Sequence, residues 1–174
     1  RLRAGHSINI GGHSWQVIIG LGHSTEHACL YCEELNVLIA GDQVLPKISP
    51  IIMVHSHEPM ANPLKDFLDS NEKLRHLPSS VTVLPSHNAP FTGLHARLDQ
   101  FVEHHDERLE TVLDMCAEPL SGLEVSQKLF PQELDHAGMF FATGEAVSHI
   151  RYLEYEGKLR RTEHPDGIDR FQRV

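Results

Sequence analysis

The chain is 174 residues long and carries 15 basic against 24 acidic residues, a formal charge of −9. At 40% hydrophobic content it can bury a core in one large domain or two small ones. The acidic balance argues against a nonspecific nucleic-acid surface and fits a cytoplasmic protein that handles small molecules. No apolar run approaches the roughly 20 residues of a membrane span, and a signal-peptide pattern is missing.

The chain opens at Arg1 without an initiator methionine, as the interior of a longer protein would. Residues 6–41 read as a meander of short strands, Ser7–Ile10, Trp15–Ile19, Ala28–Glu33 and Val37–Ala40, separated by glycine-rich or polar turns. Cys29 and Cys32 spell C-x-x-C, but positions three apart in a strand face opposite sides, so a structural role is expected over a redox pair or zinc knuckle. With Cys116 the count is three, odd and low, which points to a reducing compartment. After Asp42 an irregular stretch reaches Asn62 and holds Pro46, Pro50 and Pro59; its length suits an active-site or binding loop. Within it, His55-Ser56-His57-Glu58 looks like half of a metal motif, yet no second acid and histidine follow at the needed spacing. His55 and His57 are therefore expected to line a substrate loop or simply to be exposed.

Asn62-Pro63 starts a helix, with asparagine capping and proline in the first turn; Leu64, Phe67, Leu68, Leu74 and Leu77 give it one apolar stripe. Val81–Leu84 is the next strand. Leu98, Phe101, Val102, His105, Leu109, Val112, Leu113 and Cys116 then keep helical spacing from Arg97 to Cys116. His104 is placed on that helix's surface and His105 at its boundary. Ser121-Gly122-Leu123-Glu124 is a capping box opening a short helix that Pro131 stops. A further helix is expected over Thr143–Glu156 with Gly157 as its end, and Lys158–Arg161 and Arg170–Val174 flank the hairpin signal Asp166-Gly167.

Helix, helix and hairpin in that order suggest a winged helix. The implied domains are 1–96 and 97–174, the latter a connecting helix with the winged-helix domain. That fold often binds DNA, but residues 1–96 hold 6 basic and 8 acidic groups, 97–142 hold 3 and 10, and 143–174 hold 6 and 6. No region has the basic footprint of a DNA reader, so nucleic acid is not the expected partner. Arg160, Arg161, Arg170 and Arg173 suit either a local patch on the wing or ordinary solvated strand faces.

Three times a β-rich segment runs out at a possible ligand: His23 in the turn Gly22–His27, Asp42 after Val37-Leu38-Ile39, and His87 after Val81–Leu84. A sheet gathers metal ligands along one edge in this way, and imidazole and carboxylate are ligands that catalytic zinc accepts. In this order and setting the chain resembles the metallo-β-lactamase superfamily, and more narrowly its members with a carboxy-terminal winged helix. The resemblance covers nearly the whole chain. Gly22-His23-Ser24-Thr25-Glu26-His27 is similar to the family's third motif, of the GHTxGH kind; Gly41-Asp42 is similar to the fourth; Ser86-His87-Asn88-Ala89-Pro90 is similar to the fifth, commonly PGHGP. Glu26, Ser86 and Asn88 depart from the usual residues.

The resemblance implies an α/β (α+β) fold, the carboxy-terminal half of an αββα sandwich followed by the winged helix. It makes His23 a ligand of a first metal, Asp42 the bridge and His87 a ligand of a second. His27 becomes a supporting residue, or else only a polar start to its strand. The implied cofactor is zinc, two ions per complete site, with manganese or iron able to occupy similar sites.

The family's remaining ligands come from an HxHxDH motif that these residues do not contain. About two protein ligands per metal remain, counting the shared Asp42, where an active zinc site has at least three. The chain alone is therefore expected to bind metal poorly and to catalyse little. It is also expected to expose a sheet face that an amino-terminal half of the same protein, or a second copy, would cover. The implied reaction is metal-assisted hydrolysis of an ester, thioester or phosphodiester in a small-molecule substrate. The competing reading is a winged-helix module that binds nucleic acid or protein on a vestigial hydrolase scaffold.

Overall fold

The structure is a computed structural model that describes Leu2–Val174. Its contacts divide into two units. One comprises the chain up to Pro50 together with Asp66–Val102, the other Ile51–Lys65 with Glu103–Val174.

In the first unit β1 (Ser7–Ile10), β2 (His13–Gly20), β3 (His27–Cys32), β4 (Val37–Gly41) and β5 (Thr82–Pro85) form one sheet in the order β1-β2-β3-β4-β5. Neighbours are antiparallel until β4 and β5, which pair in parallel, with Leu38 opposite Val83. A parallel pair requires a crossover, here residues 42–81, which include helix α1 (Pro63–Glu72) and a 3-10 turn at Lys73–His76. Strand β2 is apolar on both faces, since Val17 and Ile18 are both buried. Phe67 of α1 meets Phe101 of helix α2 (Leu94–Met115) edge to face at 5.4 Å, in a core shared with Leu74, Leu77, Leu94 and Leu98. One row of the sheet is only half covered. Leu30, Ile39 and Leu84 are direct cross-strand neighbours, and Ile39 at its middle is 37% exposed.

The three cysteines are free and buried. Cys29 stands opposite Ile18 and Cys32 opposite Val37, on the two faces of the sheet. Burial pushes the Cys29 thiol up to about 12 and that of Cys116 to about 11, so neither supplies a reactive thiolate near neutral pH.

The second unit contains the later part of α2, helices α3 (Gly122–Leu129) and α4 (His136–Tyr155), and the antiparallel hairpin of β6 (Leu159–Thr162) and β7 (Arg170–Arg173). The capping box is complete: Ser121 Oγ accepts from Glu124 N–H at 3.3 Å and Glu124 Oε2 accepts from Ser121 N–H at 2.8 Å. Helix α4 begins seven residues before the expected Thr143. Asp135 caps it by accepting from Gly138 N–H at 2.7 Å. Its first turns carry the exposed Met139, Phe140 and Phe141, which leave no apolar periodicity to read. The β6–β7 connection spans 163–169 and holds Asp166-Gly167, as the expected flanking strands leave it; Gly167 N–H donates to His164 C=O at 2.8 Å and Asp166 pairs with Arg170 at 3.0 Å.

His105 is not at a boundary but in the core. It is 1% exposed and faces His149 of α4, itself fully buried, with Nδ1 and Nε2 3.2 Å apart. His149 Nδ1–H donates to Glu145 C=O at 2.9 Å. Its Nε2 is therefore the acceptor for His105 Nδ1–H, which fixes both tautomers. Burial lowers the His105 imidazole to about 3 and the His149 imidazole to about 4. Among the described residues no helix is long and apolar enough to cross a membrane.

Candidate metal centre

One edge of the five-stranded sheet carries the end of β4, the end of β5 and the β2–β3 turn. The parallel register sets Gly41 opposite Pro85, so the two strands finish side by side and deliver Asp42 and, two residues past Pro85, His87. Strand β3 runs antiparallel to β4, so it begins at the edge where β4 ends and brings the turn that holds His23.

The three side chains meet at the Asp42 carboxylate. His23 Nε2 lies 3.6 Å from Oδ2 and His87 Nε2 lies 3.4 Å from Oδ1. Each imidazole thus addresses a different oxygen. All three side chains are reachable from solvent, His87 most of all. Ser86 Oγ donates to Oδ1. That bond holds the Asp42 carboxyl below the usual carboxylate range; burial works against it, and the charges of His23, His87 and His27 add to it. Asp42 is therefore an anion at neutral pH.

His27 stands behind this group. Its Nε2 accepts from the Asp42 backbone N–H at 3.0 Å, so that nitrogen is spent on positioning and the ring proton belongs on Nδ1, a buried atom without a hydrogen-bond partner. Burial, then the neighbouring His23, lower the His27 pKa, which keeps the ring neutral and Nε2 an acceptor. The approach of the ring depends on Gly41. A Cβ there would lie 2.4 Å from His27 Cε1, and the backbone has φ +54°, a left-handed conformation that glycine adopts at no steric cost.

Two further residues hold this edge in place, Ser86, which the sequence marked only as a departure from the motif, and Gln43, which it did not single out. Ser86 occupies a position where the family commonly has glycine, and it supplies the hydrogen bond to Asp42. Gln43, completely buried, donates through Nε2 to Asn71 Oδ1 at 2.8 Å and lies 3.3 Å from both Leu21 C=O and Ser70 Oγ; Ser70 Oγ also accepts from Leu21 N–H at 3.0 Å. The turn that carries His23 is thereby tied to α1. A polar residue directly after an expected ligand was the only available signal for Gln43. His55 and His57 belong to the second unit, where both are exposed and their rings stack at 5.3 Å.

The donor chemistry of His23, Asp42 and His87 fits one wall of a two-metal site, a carboxylate with one imidazole at each oxygen. It does not make a closed cage. Among the described residues no group of three or more His, Cys, Asp or Glu is arranged to hold a metal ion.

Comparison with known proteins finds two matching families. Residues 2–87 match the family described as Metallo-beta-lactamase superfamily, and residues 109–174 match Metallo-beta-lactamase-like, C-terminal domain. A beta-lactamase domain protein from Burkholderia ambifaria is 43% identical, with a TM-score of 0.96 over 100% of this chain and 52% of its own. A metallo-beta-lactamase family protein from Thermus thermophilus is 34% identical, with a TM-score of 0.87 over 99% of this chain and 54% of its own. The probable metallo-hydrolase YqjP of Bacillus subtilis is 29% identical over 159 residues, 89% of this chain and 49% of its own. The chain spans about half the length of these relatives.

Proposed function

We propose a function from one premise: this chain belongs to the metallo-beta-lactamase superfamily. It supplies one wall of the active centre of a metal-dependent hydrolase that cleaves an ester, thioester or phosphodiester. The observation that carries the reading is the placement of two imidazoles on opposite oxygens of one ionised carboxylate. His23 and His87 would each hold one cation, zinc by preference for nitrogen and carboxylate donors, and Asp42 would join them. Bound there, the cations would supply Lewis-acid polarisation and a water acidic enough to attack at neutral pH.

The chain's own residues prepare that site. Ser86 keeps Asp42 anionic and turned toward the imidazoles, His27 fixes the backbone at Asp42, and Gln43 anchors the turn under His23. The remaining donors come from outside these residues, from an amino-terminal half of the same protein. The helix–helix–hairpin order of α3, α4, β6 and β7 supports reading the carboxy-terminal part as a winged helix, and the three free buried thiols support a cytoplasmic location.

The test is complementation. The chain alone should bind zinc weakly by calorimetry, and Asp42→Ala should abolish that binding. Mixed with the amino-terminal half of the Burkholderia ambifaria relative, it should gain zinc-dependent hydrolysis of a model thioester. Retention of zinc binding, or of the reconstituted turnover, by the Asp42→Ala chain would overturn the reading.

A further inference from the structure

The five-stranded sheet carries a second group of polar side chains at the edge remote from Asp42. Strand β3 begins beside the end of β4 and finishes at Cys32, so Tyr31 and the residues after it lie at the opposite edge. Ser7, Gln16 and Tyr31 are successive cross-strand partners and share one face of the sheet. Ser14, two residues before Gln16, and Glu33, two residues after Tyr31, join them. With Glu34 these side chains line a pocket of about 330 Å³, within the range of small-molecule sites, about 300–1,000 Å³.

Tyr31 is only 8% exposed, yet no described residue hydrogen-bonds its hydroxyl, and that oxygen is not sealed from solvent. The ring is packed away and the oxygen opens into the pocket. Burial, then the Glu33 carboxylate, raise the Tyr31 phenol. The carboxylate therefore lies within electrostatic reach of the oxygen, and the phenol stays neutral. Glu33 has no ion-pair partner among the described residues, whereas Glu34 Oε2 is bonded to His13 Nδ1 at 2.7 Å. One carboxylate and one phenol are thus left facing the pocket without partners.

The lining selects a ligand class. Two carboxylates and no Lys, Arg or His line the pocket, which turns away an anion, and the Ser, Gln and Glu side chains offer nothing to a hydrocarbon. A neutral polyol would leave Glu33 without a counter-charge. A guanidinium gains from an aromatic face to stack on, but Tyr31 presents its hydroxyl end. Calcium and magnesium take six or more oxygens, too many for one unpaired carboxylate. A primary ammonium has three N–H donors and no acceptor. Glu33, the Tyr31 oxygen and the Gln16 amide oxygen supply three acceptors, one of them charged. The hydroxyls of Ser7 and Ser14 remain for a polar group beside the nitrogen.

We propose that this pocket binds a small hydroxylated primary amine, its ammonium held by Glu33, Tyr31 and Gln16 and its hydroxyl by Ser7 or Ser14. The site uses none of the metal donors and does not depend on the hydrolase reading.

The test is a titration of the full chain, labelled with ¹³C on its tyrosine rings and held in phosphate buffer, with 2-amino-1,3-propanediol, choline and glycerol in turn. Saturable shifts are expected at Tyr31 with the primary amine, while Tyr152 and Tyr155 of the second unit stay unmoved. Choline, a cation without N–H, and glycerol, a polyol without charge, should each bind about tenfold more weakly or worse. Glu33→Gln, at an exposed residue, should weaken amine binding about tenfold or more, the scale of a charged hydrogen bond. Gln16→Met, also exposed, should weaken it several-fold, and Glu118→Gln, an exposed carboxylate of the second unit, should leave it unchanged. Absence of saturable Tyr31 shifts, equal binding of choline or glycerol, undiminished binding in both pocket variants, or an equal loss in Glu118→Gln would overturn the proposal.

Discussion

Gly41 decides how close a ring can come to the backbone of Asp42. It has a left-handed φ, and its missing Cβ leaves room for His27. Gly41→Ala should therefore cost about 2–5 kcal/mol, the sum of backbone strain and overpacking, measured by urea denaturation. Replacing His27 by Ala as well removes only the overpacking part, so the double-mutant cycle should show a coupling of about 1 kcal/mol or more; strict additivity would show that the ring does not press on this position. Ser86 makes the same point about context. Read along the sequence it is a departure from a motif, and only the parallel register of β4 and β5 turns it into the donor that keeps Asp42 ionised.

Among the elements, α4 departs most from the behaviour of an isolated helix. An interior Gly→Ala change ordinarily stabilises a helix by about 1 kcal/mol. At Gly144 the opposite is expected, a loss of about 1–3 kcal/mol, because the new methyl meets Met53 Cβ, which no rotation of that side chain removes. A gain in the urea midpoint would show that Met53 is free to move off the helix. The beginning of this helix was hidden in the sequence for a related reason. The Asp135 cap is a single residue, and the exposed Met139-Phe140-Phe141 run mimics no buried face, so the apolar spacing becomes readable only from Val147 onward. The strands and the capping box at Ser121, by contrast, follow from local patterns that tertiary packing does not override.

At the scale of the whole molecule, stability should depend on pH through the buried pair His105 and His149. Their folded values, about 3 and about 4, lie below the ordinary imidazole value, so the unfolded chain binds protons that the folded one refuses. The stability contribution is complete above about pH 6.5 and falls as pH drops toward 4, by roughly 1.4 kcal/mol per pH unit for each histidine. Burial raises the Glu145 carboxyl, and its titration partly offsets this loss just above its unfolded value. Thermal melts between pH 7 and 4.5 should fall steeply for the wild type and flatten in the His105→Leu/His149→Leu protein. Unchanged slopes would place the acid sensitivity elsewhere.

The general layout was legible because glycine turns and strand alternation are local, and because three residues of two metal-ligand types, His23, Asp42 and His87, fell where strands run out. The burial of His105 was not, since its environment comes from a helix 44 residues away; nor was Gln43, whose partners are Ser70 and Asn71 on α1 and Leu21 in the turn after β2. Proximity at long separation along the chain was the missing information in both cases.

The parallel pairing of β4 with β5 has a consequence for how the molecule assembles. Asp42 and His87 become neighbours only after residues 43–86 have wound through a helix and returned, a slow closure compared with a hairpin. A cation therefore has no early foothold on the nascent chain: it can reward a finished edge, but it cannot seed one.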